Sequence, residues 1–192
     1  MDQAQREARM AEIYRQYAGQ PVLRRIAEGR RLVPGHGPLD APLMVVGEAP
    51  GEQEDKRGVP FTGPAGKLLQ KLFAGAGLPW DCCYVTNVLP WRPPGNRDPY
   101  PFEVQAAEAR LEREAALVDP LVVVAAGAVA WRGLTRSELG PFATEKLKWR
   151  ELGGRRFIGI PHPSFIMRLG GAERPQWERA VTEALAMALA AA

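Results

Sequence analysis

Four short apolar runs limit the folds open to this chain of 192 residues more than any other feature. The runs occupy residues 43–46, 83–88, 121–125 and 157–160. Each is of strand length and nearly continuous in apolar character, which is typical of parallel strands covered on both faces. Helical segments are predicted between and after them, at 66–75, 102–118, 126–134 and 176–190.

The alternation of strands and helices predicts a doubly wound α/β fold with right-handed crossovers. We expect three layers, α/β/α, around a central, mainly parallel four-stranded sheet. The length suits a single domain over residues 1–192. Within it, residues 1–19 are predicted as a charged, helical N-terminal extension, because Met10, Ile13 and Tyr17 recur at helical spacing.

Hydropathy and charge exclude some classes of protein. The chain has no apolar run long enough to span a bilayer, and its charged start does not resemble a signal peptide, so we expect a cytoplasmic protein without membrane contact. The net charge of +3 is mild. Seven bases stand close together, at Lys146, Lys148, Arg150, Arg155, Arg156, Arg168 and Arg174. Such a cluster suits either a polyanionic partner or a solvated surface.

Three loops follow the carboxyl ends of predicted strands, where an open α/β sheet binds its ligands. The loops cover residues 47–55, 86–99 and 161–168. In the first loop, Gly47 and Gly51 allow tight turns and close approach to a ligand. Four acids within nine residues are unusual for a simple turn, so this loop is predicted to form a pocket wall.

The three loops carry motifs that occur together in one family. The first reads G-E-x-P-G-x-x-E-D and continues as P-F-x-G-x-A-G, over residues 47–66. The second combines T-N with R-P-P-x-N-R, and the third reads H-P-S-F, at 86–97 and 162–165. With these motifs in this order, the chain resembles the family 4 uracil-DNA glycosylases, within the uracil-DNA glycosylase superfamily, over roughly residues 20–185.

The resemblance implies an enzyme that flips uracil out of DNA and hydrolyses its N-glycosidic bond, leaving an abasic site. It implies that Phe61 stacks on the uracil and that the Asn87 amide pairs with its O4 and N3–H edge. It also aims His162 at uracil O2, where negative charge develops as the bond breaks.

The resemblance also suggests roles for three residues of the first loop. Glu48 is our candidate for activating the attacking water or steadying positive charge on the sugar. Ala49, on the uracil side of the loop, stands where related glycosylases place an aspartate. Glu54 resembles the side chain that the family places near uracil C5.

The resemblance also implies residues that contact DNA. Gly51 and Ser164 are predicted to bind phosphates, and Arg92 and Arg97 to contact the backbone. Ile166 and Met167 are predicted to enter the base stack, with Arg168 holding a phosphate or filling the gap. The segment of Ile166 could instead be an apolar turn that packs under the last helix.

One departure from the family is large. Family 4 enzymes usually hold a [4Fe–4S] cluster on four cysteines, which would fall near residues 20–23 (two of them), at Trp91 and near Ala107. This chain has cysteine at none of these positions; its two cysteines, Cys82 and Cys83, are predicted to be packed strand residues. We therefore expect no cluster, no metal and no other cofactor, with Trp91 and apolar neighbours filling that volume.

Several functions remain open at this stage. The leading prediction is a monofunctional, monomeric uracil-DNA glycosylase acting on uracil-containing DNA, without strand cleavage, because no lysine stands in a motif position suited to a Schiff base. The alternatives are a glycosylase for hypoxanthine or xanthine, and a protein that binds uracil-DNA without turnover. A nucleotide-binding enzyme is disfavoured by the missing G-x-G-x-x-G or P-loop motif.

Overall fold

The structure is a computed structural model that describes residues 1–136, 147–152 and 154–188. The predicted base Lys146 and the predicted end of the last helix, residue 190, lie outside these ranges. The strands are β1 (Leu43–Gly47), β2 (Cys83–Asn87), β3 (Val122–Ala126), β4 (Arg150–Leu152) and β5 (Arg155–Ile160). The helices are α1 (Gln3–Ala18), α2 (Pro21–Ala27), α3 (Glu52–Arg57), α4 (Pro64–Gly75), α5 (Pro101–Val118), α6 (Ala128–Thr135), α7 (Pro163–Arg168) and α8 (Glu173–Ala186).

The sheet has five strands in the order β2-β1-β3-β5-β4, so the prediction of four strands is corrected. The four predicted strands are present and parallel, and the added edge strand, β4, pairs antiparallel with β5. The sequence did not indicate β4 because it is only three residues long and contains Arg150 and Glu151, so it lacks an apolar run.

Helices cover both faces of the sheet, which confirms the three-layer arrangement. Helix α5 contacts α1, α2 and α6 on one face, and α4 contacts α7 and α8 on the other. Each face has its own cluster of buried apolar residues. The short helices α2, α3 and α7 were not predicted, because one or two turns carry too little periodicity to be recognised. None of the described helices is long and apolar enough to cross a membrane.

The order of the strands creates one crevice. The chain passes from β1 to β2 in one direction along the sheet, and from β3 to β5 in the other. The connections therefore diverge between β1 and β3, and the crevice at their carboxyl ends is where open α/β sheets bind ligands. The three predicted loops all leave the sheet at this edge.

The two adjacent cysteines differ in their surroundings. Cys83 begins β2 and is buried, as predicted, whereas Cys82 is exposed at the end of a 3₁₀ turn (Trp80–Cys82). The prediction that Cys82 packs in a strand is therefore corrected. Burial, with smaller contributions from Cys82 and Asp81, raises the pKa of the Cys83 thiol to about 12.

Candidate active site

Gly47 brings Phe61 and Asn87 together at the end of β1. Its partner in the sheet register is Asn87, the last residue of β2. A methyl group on Gly47 would lie 2.4 Å from Asn87 Oδ1 and 2.8 Å from Phe61 Cζ. Only glycine leaves room for both side chains, and both are buried. Two of the three residues predicted to surround the base thus meet at the carboxyl end of β1.

Phe61 is held in a backbone conformation that is uncommon for its residue type. Its φ angle is 56°, in the left-handed region. The first turn of α4 fixes it, because a methyl group on Gly66 would lie 2.0 Å from the Phe61 carbonyl oxygen. That oxygen accepts a hydrogen bond from Gln70 Nε2 (3.0 Å), and the ring contacts Trp80 edge to face, with centroids 5.8 Å apart. No pattern in the sequence indicates this contact with Trp80.

Glu54 ties the first loop together. Its carboxylate accepts hydrogen bonds from the backbone N–H groups of Gly51 (3.1 Å) and Gly63 (2.7 Å). Glu54 was predicted to lie near uracil C5. In the structure both of its carboxylate oxygens accept hydrogen bonds from the loop backbone. The Gly51 N–H, predicted to bind phosphate, is likewise already bonded. Glu54 three residues after Gly51 matches the spacing of a capping box, which is the signal that could have indicated this role.

His162 lies at the start of α7, after β5, with its ring orientation fixed. Its Nδ1 accepts the Ser164 N–H at 3.3 Å and lies 2.7 Å from Ser164 Oγ. A methyl group on Gly127, at the end of β3, would lie 3.1 Å from His162 Cβ and 3.4 Å from Cδ2. With Nδ1 as acceptor, the ring proton of neutral His162 is on Nε2, which is left as a donor. Ser164, predicted to bind phosphate, therefore orients the histidine.

Burial makes His162 and Glu48 uncharged over different pH ranges. Burial, assisted by the Arg168 charge and opposed by Asp98, lowers the pKa of His162 to about 4. Burial, with a smaller contribution from Asp98, raises the pKa of the half-buried Glu48 to about 7. At neutral pH the histidine is a neutral donor, and Glu48 is poised between acid and base. Ala49, beside it, packs against the apolar cluster under the loop.

The second loop is held by ion pairs. Arg97 donates to both carboxylate oxygens of Glu103, at 2.6 and 2.8 Å, and Glu103 also accepts the Tyr100 N–H at 2.8 Å. Arg92 bonds to Asn96 Oδ1 at 2.6 Å. Both arginines, predicted to contact DNA, thus already have protein partners. Asp98, which was not predicted, acts electrostatically on both Glu48 and His162, so this loop reaches the same crevice.

The residues after His162 divide between core and surface. Ile166 is fully buried in the cluster formed with α4 and α8. Its prediction as a residue that enters the DNA stack is corrected: its side chain anchors α7 beneath the site. Met167 and Arg168 are exposed beside it. The apolar turn that the sequence left open as an alternative thus describes Ile166, and the DNA contact of its two neighbours stays a prediction.

The basic cluster of the sequence is not one surface. Arg155 and Arg156 begin β5, so they lie at the amino-terminal end of this strand, whereas His162 follows its carboxyl end. Arg155 pairs with Asp119 at 2.7 Å, Arg156 donates to the Ala188 carbonyl at 2.9 Å, and Arg174 pairs with Glu178 at 2.8 Å. These three bases serve local structure, whereas Arg168 lies at the crevice.

Asn87 and His162 stand on opposite sides of the crevice between β1 and β3. Asn87 ends β2, and His162 follows β5, three strands away in the order of the sheet. Three inter-strand spacings separate their backbones by about 14 Å. The Asn87 side chain lies against Gly47 at the end of β1 and the His162 ring against Gly127 after β3, so both side chains lie toward the two central strands. Phe61, against Gly47, lies within this span.

Arg110 holds the end of β2 from below. This fully buried side chain on α5 donates to the backbone carbonyls of Asn87 (2.5 Å) and Val88 (2.7 Å). Its charge is balanced by Glu114, one turn away, which also accepts the hydroxyls of Tyr14 (2.7 Å) and Tyr84 (2.5 Å). The network links α1, α5 and β2 beneath Asn87. In the sequence, Arg110 and Glu114 would pass for an ordinary surface pair at i,i+4 spacing.

A sequence model described as the Uracil DNA glycosylase superfamily matches residues 34–186, which include all three loops. The chain belongs to this superfamily. The Type-4 uracil-DNA glycosylase of Thermotoga maritima is 38% identical over a segment that covers 71% of this chain and 72% of the relative. The Type-4 enzyme of Archaeoglobus fulgidus is 48% identical, but over about half of each chain: 51% of this one and 49% of its own.

A relative of another type is also similar. The Type-5 uracil-DNA glycosylase of Pyrobaculum aerophilum is 36% identical over 70% of this chain and 66% of its own length. The resemblance read from the three motifs is thus confirmed at the level of the superfamily, and Type-4 enzymes are among the relatives.

Removing Arg110 alone should be strongly destabilising. Arg110→Met leaves the Glu114 carboxylate buried without its cation, which we expect to lower the free energy of unfolding by about 3–5 kcal/mol. The double variant Arg110→Met/Glu114→Leu removes both charges and should recover most of this loss. Urea unfolding of both variants measures the effect. Equal stability of the single variant and the unmodified protein would contradict the assigned network.

Glu48 should make stability depend on pH. Its carboxyl titrates near pH 4.5 when unfolded and near 7 when folded, so folding favours the protonated form. The ionised group therefore destabilises the fold progressively as pH rises from about 4.5 to above 7. Glu48→Gln should match the unmodified protein near pH 4.5 and exceed it at pH 8, by at most about 3 kcal/mol. Urea unfolding at the two pH values tests this; an unchanged difference would contradict it.

Proposed function

We propose that this protein is a monofunctional uracil-DNA glycosylase, which releases uracil from DNA and leaves an intact strand with an abasic site. The observation that carries the proposal is the convergence of Phe61 and Asn87 at Gly47, across the sheet edge from a His162 whose Nε2 is a donor. Membership in the superfamily supports the same reaction.

Recognition would combine a stacking surface with a polar edge. Phe61 offers its ring to the face of the flipped base, which contributes affinity without choosing among bases. The Asn87 amide offers one donor and one acceptor, which match uracil O4 and N3–H. Cytosine presents a donor at position 4 and would leave buried groups mispaired, at a cost of about 1–3 kcal/mol for each. Arg110 would keep the Asn87 backbone in register for this pairing.

Bond cleavage would rely on His162. As the C1′–N1 bond breaks, its electron pair moves into the uracil ring and negative charge develops at O2. The neutral His162 Nε2–H can donate to that oxygen, and a donor placed where such charge develops stabilises a transition state by about 2.7–4 kcal/mol. The lowered pKa of His162 keeps the imidazole neutral at pH 7, so it acts as a hydrogen-bond donor rather than as an acid.

Glu48 would complete the reaction at the sugar. Water attacks the cationic C1′ and must lose a proton, and the ionised Glu48 carboxylate can accept it. A pKa near 7 makes this carboxylate a stronger base than an exposed glutamate. Lyase chemistry would need an amine nucleophile. The three loops contain no lysine, and of the two that follow the first loop, Lys56 pairs with Glu52 and Lys67 is exposed on α4.

The iron–sulfur cluster of family 4 does not fit the residues of this chain. Near the expected positions stand Leu23, Trp91 and Ala107, which are buried together in one apolar cluster and supply no thiolate. The Cys83 thiol stays protonated at neutral pH. We propose that the protein works without a cluster or other cofactor, and that the Arg97–Glu103 pair fastens the second loop instead. We further propose a monomer that acts on DNA in the cytoplasm.

Replacing the Asn87 amide should impair uracil release. Asn87→Ala leaves the polar edge of the base unpaired, so we expect kcat/KM to fall roughly 10- to 100-fold. Gln105→Ala, which removes an exposed amide on α5, is the matched control. Single-turnover release of uracil from an oligonucleotide measures both. Full activity of Asn87→Ala would remove this residue from the proposed site, and an unmodified protein that binds the DNA without releasing uracil would contradict glycosylase function.

The purified protein should lack iron. Metal analysis and the visible absorption spectrum of protein prepared without oxygen test this directly. We expect far less than one iron atom per chain and no band in the visible region. About four iron atoms per chain, with the brown colour of a cluster, would contradict the proposal that Trp91 and its neighbours replace the cofactor.

A further inference from the structure

Beyond the second loop, three side chains form a stack that we call the aromatic ledge: Arg97, Tyr100 and Phe102. The guanidinium carbon of Arg97 lies 3.9 Å from the centroid of the Tyr100 ring. The rings of Tyr100 and Phe102 are stacked, with centroids 5.5 Å apart and planes 21° apart. The ledge is thus a short stack of three flat groups, in which the guanidinium of Arg97 lies on the Tyr100 ring and the Tyr100 ring lies on the Phe102 ring.

The outer rings of the ledge face solvent. Tyr100 is 49% exposed and Phe102 is 56% exposed, although side chains of this size usually bury most of their area. Phe102 is in the first turn of α5, whose buried positions begin with Glu103 and Val104. The two rings are therefore not required for packing α5 against the sheet, and their exposure needs another explanation.

The surroundings of the ledge favour an anionic ligand with flat rings. The ledge borders a cavity of about 510 Å³, whose wall on the other side includes Val22 and Arg25 of α2, both exposed. Glu103, also in the wall, is neutralised by its two bonds to Arg97. Because Arg97 and Glu103 neutralise each other, Arg25 gives the rim of the cavity a positive charge. Stacked aromatic rings beside a cation are the arrangement that binds unpaired bases and their phosphates.

The ledge lies close to the proposed active site along the chain. Asp98 acts on both Glu48 and His162, and Tyr100 follows it by two residues. Two peptide units span less than about 8 Å. Neighbouring bases of a stacked strand are about 3.4 Å apart, so about three positions along such a strand cover this distance.

We propose that the aromatic ledge stacks an unpaired base of the DNA strand that flanks the flipped nucleotide. This inference rests on the proposed function and adds a second contact point for the substrate. Glu103 preorganises the ledge, because it fixes both the Arg97 side chain and the Tyr100 backbone before DNA binds. Stacking of this kind tolerates any base, so the ledge favours single-stranded or opened DNA rather than a sequence.

The experiment compares uracil release from a series of single-stranded oligonucleotides. One set is extended from the uracil on the 5′ side, another on the 3′ side, and the shortest substrate that is still processed serves as reference. The variants are Phe102→Ala and Tyr100→Ala. Phe102→Trp is the conservative variant that should keep function. Leu121→Ala removes a side chain of similar exposure just before β3, at the amino-terminal end of this strand.

We expect Phe102→Ala and Tyr100→Ala to raise KM about 5- to 100-fold on substrates extended to one side, with kcat unchanged. The shortest substrate should show no change, and Phe102→Trp and Leu121→Ala should behave as the unmodified protein. If the unmodified protein releases no uracil, the proposed function is refuted. Normal release with the same KM for Phe102→Ala and Leu121→Ala, or equal losses on short and extended substrates, would overturn the ledge alone.

Discussion

One buried guanidinium supports the part of the structure on which the candidate site depends. Arg110 donates to the carbonyls of Asn87, which ends β2, and of the next residue, and its charge is balanced by Glu114, which in turn accepts two tyrosine hydroxyls. An unpaired charge at this depth would be very costly, so Arg110 and Glu114 depend on each other. Because α1 supplies Tyr14, the N-terminal helix is part of the same support. The position of Asn87 thus depends on the integrity of the whole layer beneath it.

Above this support, the site is built by close backbone approach. Gly47 and Gly127 let side chains from neighbouring elements lie directly on the strand ends, and Gly66 lets α4 start against the Phe61 carbonyl. Glu54 closes the loop between them through two amides. None of these contacts touches a base directly. Together they hold Phe61, Asn87 and His162 in fixed positions, which is what a site needs if it is to act on a base without rearranging around it.

Burial then gives two titratable groups opposite tasks. The same desolvation lowers the pKa of His162 and raises the pKa of Glu48, because the charged form of each is disfavoured. At neutral pH the histidine is a neutral hydrogen-bond donor and the glutamate is close to its pKa, and these are the states that the proposed reaction needs. Environments that separate acid and base roles in this way are a common feature of hydrolytic sites. Asp98, from the second loop, links the two groups electrostatically.

The sequence by itself determined the parallel core, the layer arrangement and the three loops, because apolar runs and motifs are local patterns. It also indicated Phe61, Asn87 and His162 as residues that belong together. Only the tertiary structure decided which residues support them: Arg110 and Glu114 look like a surface pair, Ile166 like a wedge, and Trp80 like an unrelated aromatic until the chain is folded. Edge strand β4 was not predicted because three residues, two of them charged, carry no periodicity. Burial, contact and pKa depend on neighbours far away in the chain, and no local pattern contains them.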